Sequence, residues 1–370
     1  MKKALLLLSF VHLLAACTND IEILPNDESQ KLIVNALINA NKTNNAIFLA
    51  LSGYHEPQVV KNGIIHLYIN NVLSETISEC TYRPNNDSPL DYQNYFYQIN
   101  SRFKTGDQVR IEVETKDGKY KANAEATVYE PIEIIKADTI ESNHSLSETS
   151  ESLWIYQATK WKIKLQTSTT NHSQYYRVNI KQTYTYRLTN RKTLQDSTAI
   201  STQWECSGYY DTALMDGKPG TPNNSDPIIN FIPTINNYYN VFNDAYFTNN
   251  QYTMTLDSWY SFLLDNKLYK IKKITGKAII QYYAISPAEY QYLRAANAYA
   301  DHDSSNLLET PVIFPNNIKG GIGIFAIENP TETSIPLNRR RSMSGSYSFT
   351  SEYPAQNERF GIHGILKRKE

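Results

Sequence analysis

The sequence predicts an all-β protein, and three observations carry that prediction. Tyrosine reaches 28 residues while glycine stands at 14 and methionine at 4, and tyrosine and threonine suit half-buried pleated surfaces. Val109-Arg110-Ile111-Glu112-Val113-Glu114 alternates apolar and charged residues without a break, the period of a strand with one wet face. Lys116-Asp117-Gly118-Lys119 then supplies a turn before Tyr120, Ala122, Ala124, Ala126 and Val128 alternate with polar partners. Asp-Gly between alternating runs is the strongest short-range hairpin signal.

The chain opens on Lys2 and Lys3, followed by an apolar run from Ala4 to Ala16 broken only by Ser9 and His12 and ending in Leu14-Ala15-Ala16-Cys17. A bilayer-spanning helix needs roughly 20 apolar residues, so this shorter run reads as a cleaved signal, residues 1–16, with a lipobox. Cys17 becomes the lipidated first residue and 17–29 a tether. An ordinary secretory signal with an incidental Cys17 is the alternative. Acyl chains contribute about 0.8 kcal/mol per buried CH₂, so several on one cysteine hold a protein on a membrane without a spanning segment. Loss of residues 1–16 removes two lysines and no acid, moving the formal charge from −1 to −3, which argues against nucleic acid as a partner. Asp20 and Glu22 give the tether an acidic start.

Apolar runs at 32–38 and 46–51, the alternation Ile65, Leu67, Ile69 into Asn70-Asn71, and the 109–128 hairpin predict an immunoglobulin-like β-sandwich of about seven strands over 30–135. Residues 136–152, rich in Ser, Glu and Thr and without an apolar stripe, read as a linker or a long hairpin loop. A larger mainly-β domain follows over 150–336: Trp161, Ile163 and Leu165 alternate with Lys162, Lys164 and Gln166, and Tyr176, Val178 and Ile180 with Arg177, Asn179 and Lys181. A longer pattern from Leu268 to Ile285 contains Gly276, where a bulge is expected. Ser286-Pro287-Ala288-Glu289 is a capping box with Pro at the first helical position. It predicts one helix to about Ala300, packing Tyr290, Leu293 and Asn297 or Ala296 on the sheet. Residues 337–370 are a basic tail with Arg339-Arg340-Arg341 and Lys367-Arg368-Lys369, of the kind that touches lipopolysaccharide or a receptor or is simply solvated.

The tracts LIVNALI after the lipobox, YYRVNI at 175–180, VFNDAYFTNNQYTM at 241–254, ISPAEYQYLRA at 285–295 and PVIFPNNIKGGIGIFA at 311–326 occur in that order. Together they resemble the Bacteroidota lipoproteins of domain-of-unknown-function family 4249 over roughly 25–330. The resemblance implies an accessory lipoprotein of the outer membrane, encoded beside a TonB-dependent receptor, with no established catalytic residues. Lys319 and the Arg339–Arg341 tail depart from the family pattern.

Searches for chemistry are sparse in result. Gly320, Gly321 and Gly323 are followed directly by an apolar strand, with neither the third glycine of a dinucleotide loop nor the Gly-Lys-Ser/Thr of a P-loop, so they read as structural. The histidines show no paired zinc spacing, no Gly-x-Ser-x-Gly elbow is present, and Glu112 and Glu114 lie on the wet face of a hairpin. Asp301-His302-Asp303 resembles the start of a calcium loop but lacks its glycine and bidentate Glu, so a solvated helix end is favoured. Cys80 and Cys206 are expected as free thiols. No metal, cofactor or catalytic residue is assigned.

Residues 204–252 are dense in Asn and aromatics and long for a loop system. Trp204, Tyr209, Tyr210, Tyr238 and Tyr239 are the candidate ligand or partner residues, since Tyr and Trp present rigid amphipathic faces. The competing reading is that the tyrosines fill the core under the loops. The expected function is a surface-exposed outer-membrane lipoprotein that serves as a non-enzymatic accessory or ligand-capture subunit of a TonB-dependent transporter. A surface glycan or peptide hydrolase is the first alternative, an adhesin or structural module the second.

Overall fold

The computed structural model describes residues 30–53, 57–84, 94–168, 172–220, 237–301 and 312–337. The expected signal peptide, Cys17 and its tether, residues 221–236 of the aromatic region, the acidic stretch from His302 and the tail from residue 338 lie outside them. The fold is mainly strand, with one α-helix near the C-terminal part, as the composition and periodicity predict.

The first nine strands build the N-terminal sandwich: β1 (Leu32–Asn39), β2 (Asn45–Leu51), β3 (Gln58–Val59), β4 (Gly63–Ile69), β5 (Val72–Ile77), β6 (Cys80–Tyr82), β7 (Tyr95–Ile99), β8 (Gln108–Thr115) and β9 (Lys121–Thr127). One sheet has the order β5-β4-β8-β9, and the other runs β1-β2-β7-β6. Alternation places Ile65, Leu67, Val109, Ile111, Val113, Ala122, Ala124 and Ala126 in one core with Leu32, Val34, Ile38, Ile47 and Leu49. Both hairpins read from the sequence are present. Asn70 and Asn71 adopt φ of 51° and 65° and Gly118 a φ of 69°, the left-handed conformations that tight hairpin turns require.

The second sandwich sets β10 (Glu133–Glu148), β11 (Ser152–Gln166) and β15 (Gln251–Asp265) against β12 (Tyr175–Asn190), β13 (Asp196–Trp204), β14 (Val241–Asn243) and β16 (Tyr269–Ile285). Residues 136–148, expected as linker or loop, are strand: β10 pairs with β11 from Glu133 opposite Gln166 to Glu148 opposite Leu153. The stretch lacks an apolar stripe because it is an edge strand, and two register shifts interrupt its alternation. Gly276 is not a bulge. It pairs in register with Tyr184 and leaves room for that ring, which a Cβ there would strike. The irregularity in this ladder falls at Arg187/Leu188 instead.

Helix α1 (Pro287–Asp301) and strand β17 (Gly321–Leu337) join the two halves. β17 starts parallel to β1, with Leu32 opposite Gly321 and Asn39 opposite Glu328. From Asn329 to Leu337 it pairs antiparallel to β16. One 17-residue strand thus belongs to both sandwiches, giving the continuous order β13-β12-β16-β17-β1-β2-β7-β6. Phe325 and Ile327 enter the first core, while Ile335 and Leu337 pack on the second. The glycines that open β17 allow the parallel approach: a Cβ on Gly321 would strike the Leu32 carbonyl oxygen, and one on Gly323 the Val34 carbonyl oxygen. Gly320 and Gly323 also have φ of 79° and 124°, where L side chains are strained.

Because β16 continues past Gly276 to Tyr269, the strand contour from Gly321 to the far hairpin tips measures roughly 75 Å at about 3.3 Å per residue. Residue 30, where the described chain begins, sits at the opposite pole from those tips.

Candidate functional site

The five aromatic residues singled out in the sequence occupy three different surfaces. Trp204 ends β13 and lies opposite Lys181 of β12, whose Nζ is 4.8 Å from the indole ring. The neighbours Ile180 and Gln182 point into the core, so Trp204 is on the outer face of the wide sheet. Tyr209 and Tyr210 follow in the next loop, edge to face at 5.1 Å, and Lys160 of β11 reaches to 5.6 Å from the Tyr210 ring. They therefore border the three-stranded sheet on the other side of the sandwich. Tyr238 and Tyr239 stand beside α1, where the Tyr239 amide donates to Asn297 Oδ1 at 3.1 Å and Asn297 donates to Asn237 Oδ1 at 2.9 Å. Trp204, Tyr209, Tyr238 and Tyr239 are 51%, 38%, 53% and 43% exposed, so these rings lie at the surface rather than in the core.

Buried polar groups hold this loop system in shape. The Asp211 carboxylate accepts from the amides of Ala213 at 3.0 Å, Leu214 at 3.2 Å and Thr255 at 2.8 Å, and from the Tyr252 hydroxyl at 3.1 Å. Burial pushes its pKa up against those donors. Asn237 donates to the carbonyls of Leu214 and Val241. Both cysteines are free, as expected. Cys206, below this loop, is pushed up to about 12 by burial, which leaves it an inert thiol.

Sequence reasoning missed two features. The first is the charge on the outer face of the wide sheet. Lys181, Thr183, Thr185 and Arg187 of β12 lie opposite Trp204, Thr202, Ile200 and Thr198 of β13 on one side, and Ile279, Lys277, Thr275 and Lys273 of β16 on the other. Arg187 thus faces Lys273 directly. Two acids on these strands and on β17 share the face, and each is engaged: Asp196 holds Lys272 at 2.8 Å, and Glu332 accepts from Gln281 at 2.7 Å. The signal was the tract YKIKKITGK at 269–277, which contains four lysines.

The second is a buried charged group where β17 passes from one sandwich to the other. Glu328 accepts a two-pronged contact from Arg177 of β12, through Nε and through Nη2 at 2.7 Å, and the guanidinium lies 4.1 Å from the Tyr283 ring centre. Glu289 of α1 is fully buried beside them. Its amide donates to Ser286 Oγ at 3.0 Å, the half of the capping box that anchors the helix start, but neither oxygen of its carboxyl has a hydrogen-bond partner. Burial, then the neighbouring Glu328 carboxylate, push its pKa well up, outweighing the pull of Arg177. Two ionised carboxylates here would both be acceptors sharing one cation. Burial beside the Glu328 carboxylate therefore favours the neutral acid at Glu289.

Residues 18–334 match the family described as "Domain of unknown function (DUF4249)". The chain belongs to that family. Two solved structures similar to this DUF4249 protein are crystal structures of Parabacteroides merdae beta-glucuronidase, one of them with glycerol in the active site. Each is 10% identical with a TM-score of 0.18, over 70% of this chain and 24% and 23% of theirs. The DUF4249 chain thus spans about a quarter of their length, and a TM-score this low assigns neither fold nor chemistry. No curated protein matches.

Among the described residues no group of three His, Cys, Asp or Glu side chains is placed to hold a metal. Glu112 and Glu114 are engaged with Arg110 and Lys121 along the first sandwich. The one close pair of carboxyl groups described above, Glu289 and Glu328, is sealed from solvent, where no substrate could reach it.

Proposed function

We propose that this protein is a lipid-anchored, surface-facing outer-membrane lipoprotein acting as a non-enzymatic ligand-capture or accessory subunit of a TonB-dependent transporter. The observation that carries this reading is the strand shared by the two sandwiches. A single hydrogen-bonded sheet runs through both sandwiches, with residue 30, the first described, at one end, Tyr238 and Tyr239 beside α1 near the junction, and the basic face of β12, β13 and β16 beyond it. Acylation at Cys17 would leave residues 17–29 as the tether and hold the protein in the plane of the membrane. That confinement raises its effective concentration beside a barrel by the same arithmetic that governs linked binding modules. The lipobox supports the anchor.

The test is purification of the native lipoprotein from detergent-solubilised outer membrane, with mass spectrometry of its N-terminus. Recovery of an acylated Cys17 together with a barrel receptor is expected. An unmodified N-terminus and no barrel partner would overturn the reading.

A further inference from the structure

We propose that the outer face of β13-β12-β16 binds an acidic polysaccharide, with Trp204 as its stacking anchor. The proposal rests on the capture reading and names its ligand class. Charge complementarity is the first argument. Lys181, Arg187, Lys273 and Lys277 share this face; of its two acids, Asp196 is paired with Lys272 and Glu332 accepts from the neutral Gln281, so the cations remain in excess. Cations thus gather on one side of a chain whose formal net charge is −1.

The second argument is energetic. Arg187 and Lys273 are direct cross-strand partners, and like charges placed opposite each other destabilise a sheet. Asp196, paired with Lys272, also feels the Arg187 charge, and a bound polyanion would relieve the repulsion that remains. A third argument concerns shape. The level of Trp204 and that of Arg187 are six residues apart along β12, or about 20 Å, and hydroxyls of Thr183, Thr185, Thr198, Thr202 and Thr275 line the interval. An extended chain of sugars carrying carboxylates would place its charges on the lysines and its hydroxyls on the threonines. The Trp204 side chain is half exposed and offers an apolar surface to one pyranose ring, and Lys181 sets a cation over the ring, 4.8 Å from its centre.

The experiment uses the full-length lipoprotein in detergent, titrated with polygalacturonate and, in parallel, with neutral dextran. Binding of polygalacturonate and not of dextran is expected. Trp204→Ala should weaken it about tenfold, the loss typical of an aromatic anchor, and Lys273→Glu with Lys277→Glu should abolish it. Lys273→Glu also replaces a repulsive pair by an attractive one, so the thermal midpoint of that variant should hold or rise while binding is lost. A merely structural role for Lys273 predicts the reverse. Equal binding of dextran, undiminished binding in the lysine variants, or indifference to Trp204→Ala would each overturn the proposal. So would lysine-dependent binding to lipopolysaccharide vesicles without binding to polygalacturonate, because that face would then be a membrane contact. Recovery of the barrel receptor with the same variants separates the two readings: loss of polysaccharide binding with the receptor retained leaves the accessory role standing.

Discussion

Replacing Glu289 by Gln should remove a pH dependence from the stability of this protein and leave the fold as strong or stronger near neutrality. The folded-state pKa of Glu289 is raised by burial and by the Glu328 carboxylate. The unfolded chain therefore releases this proton at lower pH than the folded one does. The stability that the neutral acid contributes is fully present below the ordinary carboxyl range and is lost as pH rises toward the folded midpoint. Within that window the slope is about 1.4 kcal/mol per pH unit, so two units cost the wild type about 2.7 kcal/mol. A Gln at 289 has nearly the same shape and donates permanently from its amide to Glu328, doing at every pH what the protonated acid does. Urea denaturation of both proteins at one-unit steps from pH 5 to 9 is the assay. The expected result is two curves that converge at the acid end and separate upward, the variant above. Parallel curves, or a Gln variant weaker by a constant amount, would mean that Glu289 is ionised and serves as a second counter-charge to Arg177, and the reasoning would fail.

Glu328→Gln should behave oppositely, costing about 3–5 kcal/mol near neutral pH because it strands the buried Arg177 charge; the same denaturation series reads it. Gly323→Ala should cost about 2–4 kcal/mol, since its Cβ meets the Val34 carbonyl in a backbone conformation already at positive φ, and hydrogen exchange should show β1 and β17 loosening first. The Cys206 thiol, pushed up to about 12, should resist a disulfide-exchange reagent at pH 8 until the protein unfolds. Cys17→Ser should move the protein from the membrane fraction to the soluble one, as followed by fractionation and blotting.

Much of the architecture was legible. Period-two alternation gave the cores of both sandwiches, because each buried strand face is apolar and each outer face polar along Val109–Glu114 and Tyr176–Lys181. The Asn-Asn and Asp-Gly turns, the capping box at Ser286 and the structural glycines were readable because each depends on local backbone chemistry. What escaped depends on partners distant in sequence. β10 was unreadable because its edge position and register shifts erase alternation. Part of the second core is polar and hydrogen-bonded instead of apolar: Trp161 Nε1 donates to Ser258 Oγ at 2.7 Å, Gln182 Nε2 donates to the same oxygen at 3.0 Å, and the Tyr184 hydroxyl donates to Gln157. Trp154 and Tyr156 are left on the outside of that same stretch of β11, the inverse of the usual pattern. The aromatic candidates were found by type, yet their division among three surfaces follows from sheet pairing alone. The group formed by Arg177, Glu289 and Glu328 joins residues 151 positions apart, and no local rule brings them together.

The parallel pairing of Leu32 with Gly321 also dictates an order of events. The first sandwich cannot complete its sheet until nearly the last described residues have been synthesised and delivered, so its early strands must wait with an open edge. Closing such a long loop is slow, since contacts of large sequence separation form late. A chain truncated ahead of residue 320 would be left with that edge of β1 exposed and prone to pair with its neighbours.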